Sequence, residues 1–85
     1  MRNDLDFTIA WMQSDDYKLR FKAEYWQTKI RYDKLHRMTV KYEADTLDFT
    51  PTCPLPILKA QKSAMGQYLN MLEIRAEMEG VDLSK

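Results

Sequence analysis

The chain has 85 residues with 13 Lys or Arg and 13 Asp or Glu, so its formal net charge is zero. This length allows one small domain with a limited core, and the neutral charge argues against an extended surface for DNA or RNA polymers. Cys53 and His36 are the only residues of their types, which excludes an internal disulfide and a soft-ligand zinc site. We expect no metal and no other cofactor.

Residues 1–14 are predicted to form a short N-terminal helical segment. Its apolar residues recur at helical spacing: Leu5, Ile9 and Met12, with Phe7 and Trp11 beside them. This segment is expected to dock on its own chain or on a neighbour. Acids at positions 4 and 6 interrupt the apolar residues, which argues against a signal peptide and against a membrane span. With a lone thiol, these features predict a cytoplasmic protein.

A first long helix is predicted over residues 15–44, which contain neither proline nor glycine. Ser14 is the expected N-cap, with Asp15 and Asp16 in the first turn. One row of residues alternates in steps of four and three, as in a packed helical seam: Phe21, Tyr25, Thr28, Tyr32, Leu35, Thr39 and Tyr42. A second row lies beside it: Leu19, Ala23, Trp26 and Ile30. The apolar surface is therefore wider than one partner helix needs.

A connection over residues 45–56 contains all three prolines, and Leu47 and Phe49 are expected to pack back onto the helices. A second helix is predicted over residues 56–79, with Gly80 as its C-terminal stop and residues 81–85 as a tail. One row forms its seam: Leu58, Met65, Leu69, Leu72 and Ala76. Another row broadens this seam: Ile57, Ala60, Ala64, Met71 and Met78. Gly66, inside the helix, indicates either close approach of another group or simple tolerance.

These elements predict an all-α fold, an antiparallel helical hairpin over residues 15–80 with a short N-terminal helix. A chain of this length buries a limited core, and its two helices carry more apolar surface than they cover on each other. We therefore expect copies of the chain to assemble into a compact homo-oligomer.

Enzymatic candidates are weak. His36 would need a nucleophile such as Ser63 or Cys53 nearby, together with an orienting acid, and no catalytic signature surrounds these residues. A solvent-facing His36 is the simpler interpretation. We predict no catalytic residues and a protein that is not an enzyme.

Binding is a better candidate function than catalysis, because the first helix alternates aromatic rings with cations. On composition alone, however, a structural role for these residues is favoured over a binding role. These residues are Tyr25, Trp26, Lys29, Arg31, Tyr32, Lys34, Arg37, Lys41 and Tyr42. Nucleotide bases stack on aromatic faces, and phosphates pair with Lys or Arg. The competing interpretation is structural, since tyrosine and tryptophan also suit a seam and lysines extend their ammonium groups into water.

Two polar residues of the second helix are expected on its apolar seam. Gln61 lies three residues after Leu58, and a buried amide needs hydrogen-bond partners. Arg75 lies three residues after Leu72, near the same face. Its guanidinium group either pairs with an acid of another chain, for which Glu24 and Asp33 are candidates, or receives an anionic ligand.

The segments "FKAEYWQTKIRYDKLHRM" and "LPILKAQKSAMGQYLNMLEIRAEMEG" resemble a family of small phage proteins, the anti-CBASS and anti-Thoeris cyclic-nucleotide sponges with a helical hairpin domain. The residues that carry the resemblance in the first helix are Glu24, Tyr25, Arg31, Lys34 and Leu35. Those in the second helix are Leu58, Gln61, Met65, Tyr68, Leu69, Leu72 and Arg75. The resemblance covers about residues 21–79.

The resemblance implies a function without catalysis. Such proteins are expected to form compact oligomers, with hexamers favoured, and to bind cyclic di- or trinucleotides or cyclic ADP-ribose-type ligands. The ligand is withheld from a defence effector in the cytoplasm of the infected bacterial host. The alternative is a structural or protein-binding helical phage module without a small-molecule ligand, and a binder of nucleic-acid polymers is a weaker third hypothesis.

Within this framework, chemical roles follow for eight residues. Tyr25, Trp26 or Tyr32 would stack on a base. The phosphates would be neutralised by cations drawn from Lys29, Arg31, Lys34 and Arg75. Gln61 would read a base edge.

Overall fold

The computed structural model describes residues 6–84, and this part of the chain is entirely helical or irregular. A 3₁₀ turn at Asp6–Thr8 leads into the short helix α1, Ile9–Met12. Two long helices follow: α2 spans Tyr17–Glu43 and α3 spans Leu55–Glu79. Cross-helix contacts run in opposite order along α2 and α3, so the two helices form an antiparallel hairpin, as the seams predicted. The division of the chain at residues 14 and 80 stays a prediction.

Helix α2 begins at Tyr17, two residues later than the predicted start at residue 15. Its N-cap is Asp16, whose side chain accepts a hydrogen bond of 2.9 Å from the backbone N–H of Lys18. The prediction of Ser14 as N-cap is wrong, because the Ser14 hydroxyl instead accepts from the N–H of Asp16 at 3.0 Å. Ser14 therefore shapes the turn that precedes the helix.

The connection after α2 turns through Asp45, which has φ +61°. The N–H of Thr46 then donates to the carbonyl of Lys41 at 2.9 Å, which satisfies a carbonyl of the last turn. Helix α3 starts after extended Pro54, with Pro56 in its first turn, where a missing N–H removes no helical bond. Leu47 is partly buried and Phe49 is 56% exposed, and both border a cavity together with residues of α2, so the expected packing of Phe49 onto the helices is only partial.

The core of the hairpin lies between the halves of α2 and α3 remote from the connection. Its buried members are Phe21, Tyr25, Leu69, Leu72, Ala76 and Val81. Gly80 ends α3 in the left-handed region at φ +70°, and the N–H of Val81 donates to the carbonyl of Ala76 at 2.9 Å. The chain thus turns back sharply and buries Val81 over the last turn, as predicted for Gly80.

The N-terminal segment docks on α2 through a different face from the predicted one. Thr8 is fully buried, and its hydroxyl accepts a hydrogen bond from the Gln27 amide at 3.1 Å. The Phe7 ring packs edge-on against Trp11 and Trp26, with centroids 5.3 and 6.3 Å away. Ile9 and Met12, expected in the docked row, are about half exposed, and Leu5 lies outside the described residues.

Helix α3 carries apolar side chains on two faces, and α2 covers only one of them. The inner face is the predicted seam, in which Leu58, Leu69, Leu72 and Ala76 are buried. The second face, here called the outer stripe, consists of exposed residues: Ile57, Ala64, Tyr68, Met71, Ile74 and Met78. Within residues 6–84, neither long helix contains an apolar stretch of the kind that crosses a membrane.

Candidate functional site

Gly66 creates a notch in the surface of α3, and the Tyr32 ring of α2 occupies one side of it. A methyl group built on Gly66 would lie 3.3 Å from Cε1 of Tyr32, which is tighter than ordinary van der Waals contact. A glycine here therefore allows the Tyr32 ring to approach the α3 backbone. This is the close approach that one interpretation of Gly66 predicted.

An open groove of about 630 Å³ lies over this notch, within the range of volumes typical of small-molecule sites. Its lining combines one aromatic ring with ammonium, hydroxyl and amide groups. The lining residues are Tyr32, Lys59, Lys62, Ser63, Gly66, Gln67 and Asn70. Lys59, Ser63, Gln67 and Asn70 recur at steps of four and three along α3, and Lys62 is adjacent to Ser63, so these residues share one side of the helix. No carboxylate is among these residues.

Lys62 is held at the α2 side of the groove by two groups of α2. Its Nζ lies 3.0 Å from Nδ1 of His36 and 3.5 Å from Oγ1 of Thr39. The His36 ring is parallel to the Tyr32 ring within 3°, with centroids 6.3 Å apart. Thr39 is buried and donates its hydroxyl proton to the carbonyl of His36 at 2.8 Å. His36 is exposed, as predicted, yet it is attached to the groove through Lys62 and Tyr32.

Two further lysines lie in or beside the groove, each paired with an acid. Lys59 lines the groove and pairs with Glu43 at 3.0 Å. Lys29 pairs with Asp33 at 3.2 Å, and its Nζ lies 5.9 Å from the centroid of the Tyr32 ring. Both pairs are substantially solvent-exposed, so they are weak and their lysines can exchange partners at little cost.

The structure places two of the predicted aromatic residues in the core instead of in this groove. Tyr25 is 7% exposed, and its hydroxyl donates to the Glu73 carboxylate at 2.8 Å. Burial, this hydrogen bond, and the negative charges of Glu73 and Asp33 raise the pKa of Tyr25 to about 12. Trp26 is partly buried and donates from Nε1 to the carbonyl of Leu83 at 2.6 Å. In the single chain, both rings are engaged in packing.

The two polar residues assigned to the seam of α3 lie elsewhere. Gln61 is exposed, so its predicted burial is wrong: its backbone position lies about 60° around the helix from Leu58, at the edge of the inner face. Arg75 pairs with Glu79 at 2.9 Å and stacks over the Phe21 ring at 4.8 Å. A pairing of Arg75 with Glu24 or Asp33 of another chain, or with an anionic ligand, stays a prediction.

Arg31 and Lys34 are exposed on α2, outside the lining of the groove. Lys34 instead borders a smaller cavity of about 230 Å³ near the connection, together with Arg37 and Lys41. Of the eight predicted site residues, Tyr32 alone lines the groove over Gly66, and Lys29 reaches the edge of its ring. The ligand-binding roles of all eight stay predictions.

Sequence reasoning missed the residues that α3 contributes to the groove: Lys59, Lys62, Ser63, Gln67 and Asn70. A signal was present, because these residues recur on both sides of Gly66 on one polar face of an otherwise apolar helix. A glycine on a polar helical face near two lysines indicates that another group approaches the helix backbone there, as the Tyr32 ring does.

Fold and groove together define a small helical hairpin protein with a candidate ligand-binding site. A family model described as Sequestin matches residues 15–78, and the chain belongs to the Sequestin family. This match agrees with the resemblance to the phage cyclic-nucleotide sponges, and the family name denotes sequestration, which needs no catalysis. Neither the curated proteins nor the solved structures contain a match.

Proposed function

We propose that the protein binds and sequesters cyclic oligonucleotides or related signalling nucleotides, such as cyclic ADP-ribose-type molecules, without cleaving them. Sequestration would block activation of a defence effector in the cytoplasm of the infected bacterial host. The observation that carries this proposal is the groove over Gly66, where an aromatic ring lies beside two lysines in a member of the Sequestin family.

The groups of the groove suit the parts of a nucleotide. Tyr32 offers a ring for base stacking, which contributes about 1–3 kcal/mol per base in comparable sites. Lys62 and Lys59 offer ammonium groups for two phosphates of a cyclic ligand. Gln67 and Asn70 carry amides that both donate and accept, as recognition of a base edge requires.

The chemistry of the lining supports binding without cleavage. The groove presents a ring, two ammonium groups, a hydroxyl and two amides. Ser63 is the nucleophile candidate among them, and activation of its hydroxyl would require an adjacent base oriented by a third group. His36 is engaged with Lys62 instead. The ligand should therefore be recovered intact when the protein is denatured.

Self-association is the second part of the proposal, and the outer stripe of α3 supports it. Five members of the outer stripe, at positions 57, 64, 68, 71 and 78, form one row with Gln61 and Arg75. This row alternates in steps of four and three, the spacing of a helix–helix interface. Antiparallel pairing of two copies about Gly66 would place Ala64 beside Tyr68 of the other copy, so a small side chain meets a large one. The charged member, Arg75, is already paired with Glu79.

A mostly apolar stripe whose one charged residue is already paired suits a second copy of the same stripe, and a two-fold axis lets one surface complement itself. We therefore propose a second copy of the chain as its occupant. Assembly would also surround the groove and the N-terminal rings with neighbouring protomers. The hexamer implied by the family resemblance is one such assembly.

Isothermal titration of the protein with cyclic di-AMP, cyclic tri-AMP and cyclic ADP-ribose isomers tests the function. We expect heat with at least one of them and recovery of the unchanged molecule after denaturation. Heat with none of a broad panel of cyclic nucleotides would overturn the proposal. Capture of one stoichiometric host protein without a bound nucleotide would instead support the protein-binding alternative.

Two charge reversals locate the site. Lys62→Glu should abolish binding if the groove over Gly66 is the site, because it places a carboxylate beside the phosphates. Lys34 lies outside that groove. Lys34→Glu should therefore abolish binding only if the ligand binds at the site predicted from the sequence of α2. Circular dichroism should show unchanged helix content in both variants, since Lys34 is exposed and Lys62 extends into the groove.

A further inference from the structure

A third row of residues runs along α3, on a side of the helix distinct from the inner face and from the outer stripe. Its members recur at steps of four and three: Lys59, Ser63, Gly66, Asn70, Glu73 and Glu77. At about 100° of rotation per residue, this row lies roughly 130° around the helix from the centre of the outer stripe. All members except Gly66 are exposed, so the hairpin leaves this side of α3, here called the polar row, largely uncovered.

Two open grooves lie end to end along the polar row. The groove over Gly66, of about 630 Å³, contains the lysine end of the row, and a second groove of about 600 Å³ contains Glu73 and Glu77. Asn70 lines both grooves, so they meet there. No cation is among the described residues that line the second groove, just as no carboxylate lines the first. One side of the helix therefore has a cationic half and an anionic half of similar size.

The order of these charges makes the polar row complementary to itself. A two-fold axis midway between Gly66 and Asn70 would pair two copies of α3 in antiparallel orientation. Lys59 of each copy would then lie opposite Glu77 of the other, because both residues are equally far along the helix from that midpoint. A parallel pairing would instead place lysine beside lysine and carboxylate beside carboxylate, which is repulsive. The antiparallel orientation is therefore the one that the charges favour.

The charged ends of the row are available for such a pairing. Within residues 6–84, the Glu77 side chain has no ion-pair or hydrogen-bond partner. Lys59 pairs with Glu43 at 3.0 Å, but the two side chains are 53% and 50% exposed. An ion pair that is this exposed contributes little free energy, so Lys59 can exchange Glu43 for another carboxylate at little cost.

An assembly larger than a dimer needs an interface besides the outer stripe. A two-fold contact uses the same patch on both copies, so the stripe joins two copies and is then covered. A second two-fold contact on another face of the chain would join such dimers into a larger symmetric assembly. The polar row lies on such a face.

We propose that the polar row is a second interface between copies of the chain, in which Lys59 of each copy pairs with Glu77 of the other. The inference rests on the proposed self-association, but it concerns a separate face and requires no nucleotide. Its link to ligand binding is Lys59, which also lines the groove over Gly66. A phosphate bound by Lys59 would replace the partner's carboxylate, so the nucleotide and this ion pair compete for one lysine.

Two charge reversals and their mixture test the pairing by light scattering coupled to size-exclusion chromatography. Lys59→Glu places two carboxylates opposite each other in every contact, and Glu77→Lys places two lysines opposite each other. Each variant alone should therefore fall from the mass of the wild-type assembly to that of a dimer held by the outer stripe. An equimolar mixture combines copies that carry only carboxylates at the two positions with copies that carry only lysines. We expect the mixture to recover the wild-type mass.

The double variant Lys59→Glu/Glu77→Lys should also form the wild-type assembly, because its ion pairs are restored with their signs exchanged. Lys34→Glu is the matched control, since it reverses an exposed charge on α2 and should leave the mass unchanged. Unchanged mass in both single variants would overturn the polar row as an interface, as would a lost mass that neither the mixture nor the double variant recovers. Either result leaves the outer stripe and nucleotide binding intact, whereas a monomeric wild type would overturn both interfaces.

Discussion

At the scale of single residues, Tyr25 and Tyr32 show what a spacing pattern determines and what it leaves open. Both lie on the same predicted seam of α2, and both were candidates for base stacking. Tyr25 faces Glu73 and is buried among Leu69 and other core residues, whereas Tyr32 faces Gly66 and borders the groove. The sequence predicted the seam, but the difference depends on which residue of α3 lies opposite, and this register is set by the packing of the whole hairpin.

The Tyr25 hydroxyl should stabilise the fold in a pH-dependent manner. Below about pH 10, Tyr25→Phe should be less stable than the wild type by about 1–2 kcal/mol, since the bond to Glu73 is lost. Because the pKa of Tyr25 is raised to about 12, the folded state holds a proton that the unfolded state has released between the ordinary tyrosine pKa and that value. The stabilisation is therefore complete below this window and is lost as pH rises through it.

Urea unfolding of both proteins at neutral pH and in the alkaline window measures this difference. The lysines titrate in both proteins, so their effect cancels in the comparison. A wild-type advantage that stays constant up to the pKa of about 12 would show that the hydroxyl is not held as the structure indicates.

At the scale of the elements, a helix end was predictable where the backbone conformation there strongly favours one residue type. Gly80 ends α3 as predicted, because glycine adopts φ +70° without a clash between its side chain and the backbone. The start of α2 was predicted two residues too early. Serine and aspartate are both good N-cap residues, and the N-cap of the folded helix is Asp16. The apolar periodicity located both long helices, but it could not indicate that the docked N-terminal residue would be Thr8.

Gly80→Ala should destabilise the protein by about 1 kcal/mol, because an alanine side chain disfavours the left-handed conformation. Gly80→Asn should cost less, since asparagine tolerates this region. The change acts on the element as a whole, because the turn at Gly80 directs Val81 into the core and Leu83 toward Trp26. Thermal unfolding monitored by circular dichroism gives the order of stability of the three proteins. A Gly80→Ala variant as stable as the wild type would contradict the prediction.

At the scale of the whole molecule, the amount of apolar surface was predictable but its distribution was not. Sequence periodicity gave two adjacent rows on α3 that differ by about 100° around the helix. The spacing predicts Gln61 in the inner row, but its position lies between the two rows, about 60° from Leu58 and about 40° from Ile57, and its side chain is exposed. The hairpin covers one row and leaves the other exposed, which is the basis for the proposed self-association.

Substitutions at the adjacent residues 71 and 72 distinguish an effect on assembly from an effect on folding. Met71 is 55% exposed on the outer stripe, whereas Leu72 is 1% exposed in the core. Met71→Glu should dissociate the oligomer with little loss of helix, because each copy would bring a charge into an apolar interface and remain solvated when alone. Leu72→Asp should unfold the chain, since an unpaired carboxylate and a lost leucine destabilise a core by more than about 3 kcal/mol.

Light scattering coupled to size-exclusion chromatography reports the mass, and circular dichroism reports the helix content. A wild-type protein that is monomeric at micromolar concentration would contradict the proposed assembly. An oligomer of unchanged mass in Met71→Glu would place the interface away from the outer stripe. If Met71→Glu dissociates and also stops binding nucleotides, the binding site requires a second protomer; if it dissociates and still binds, the groove of one hairpin is sufficient.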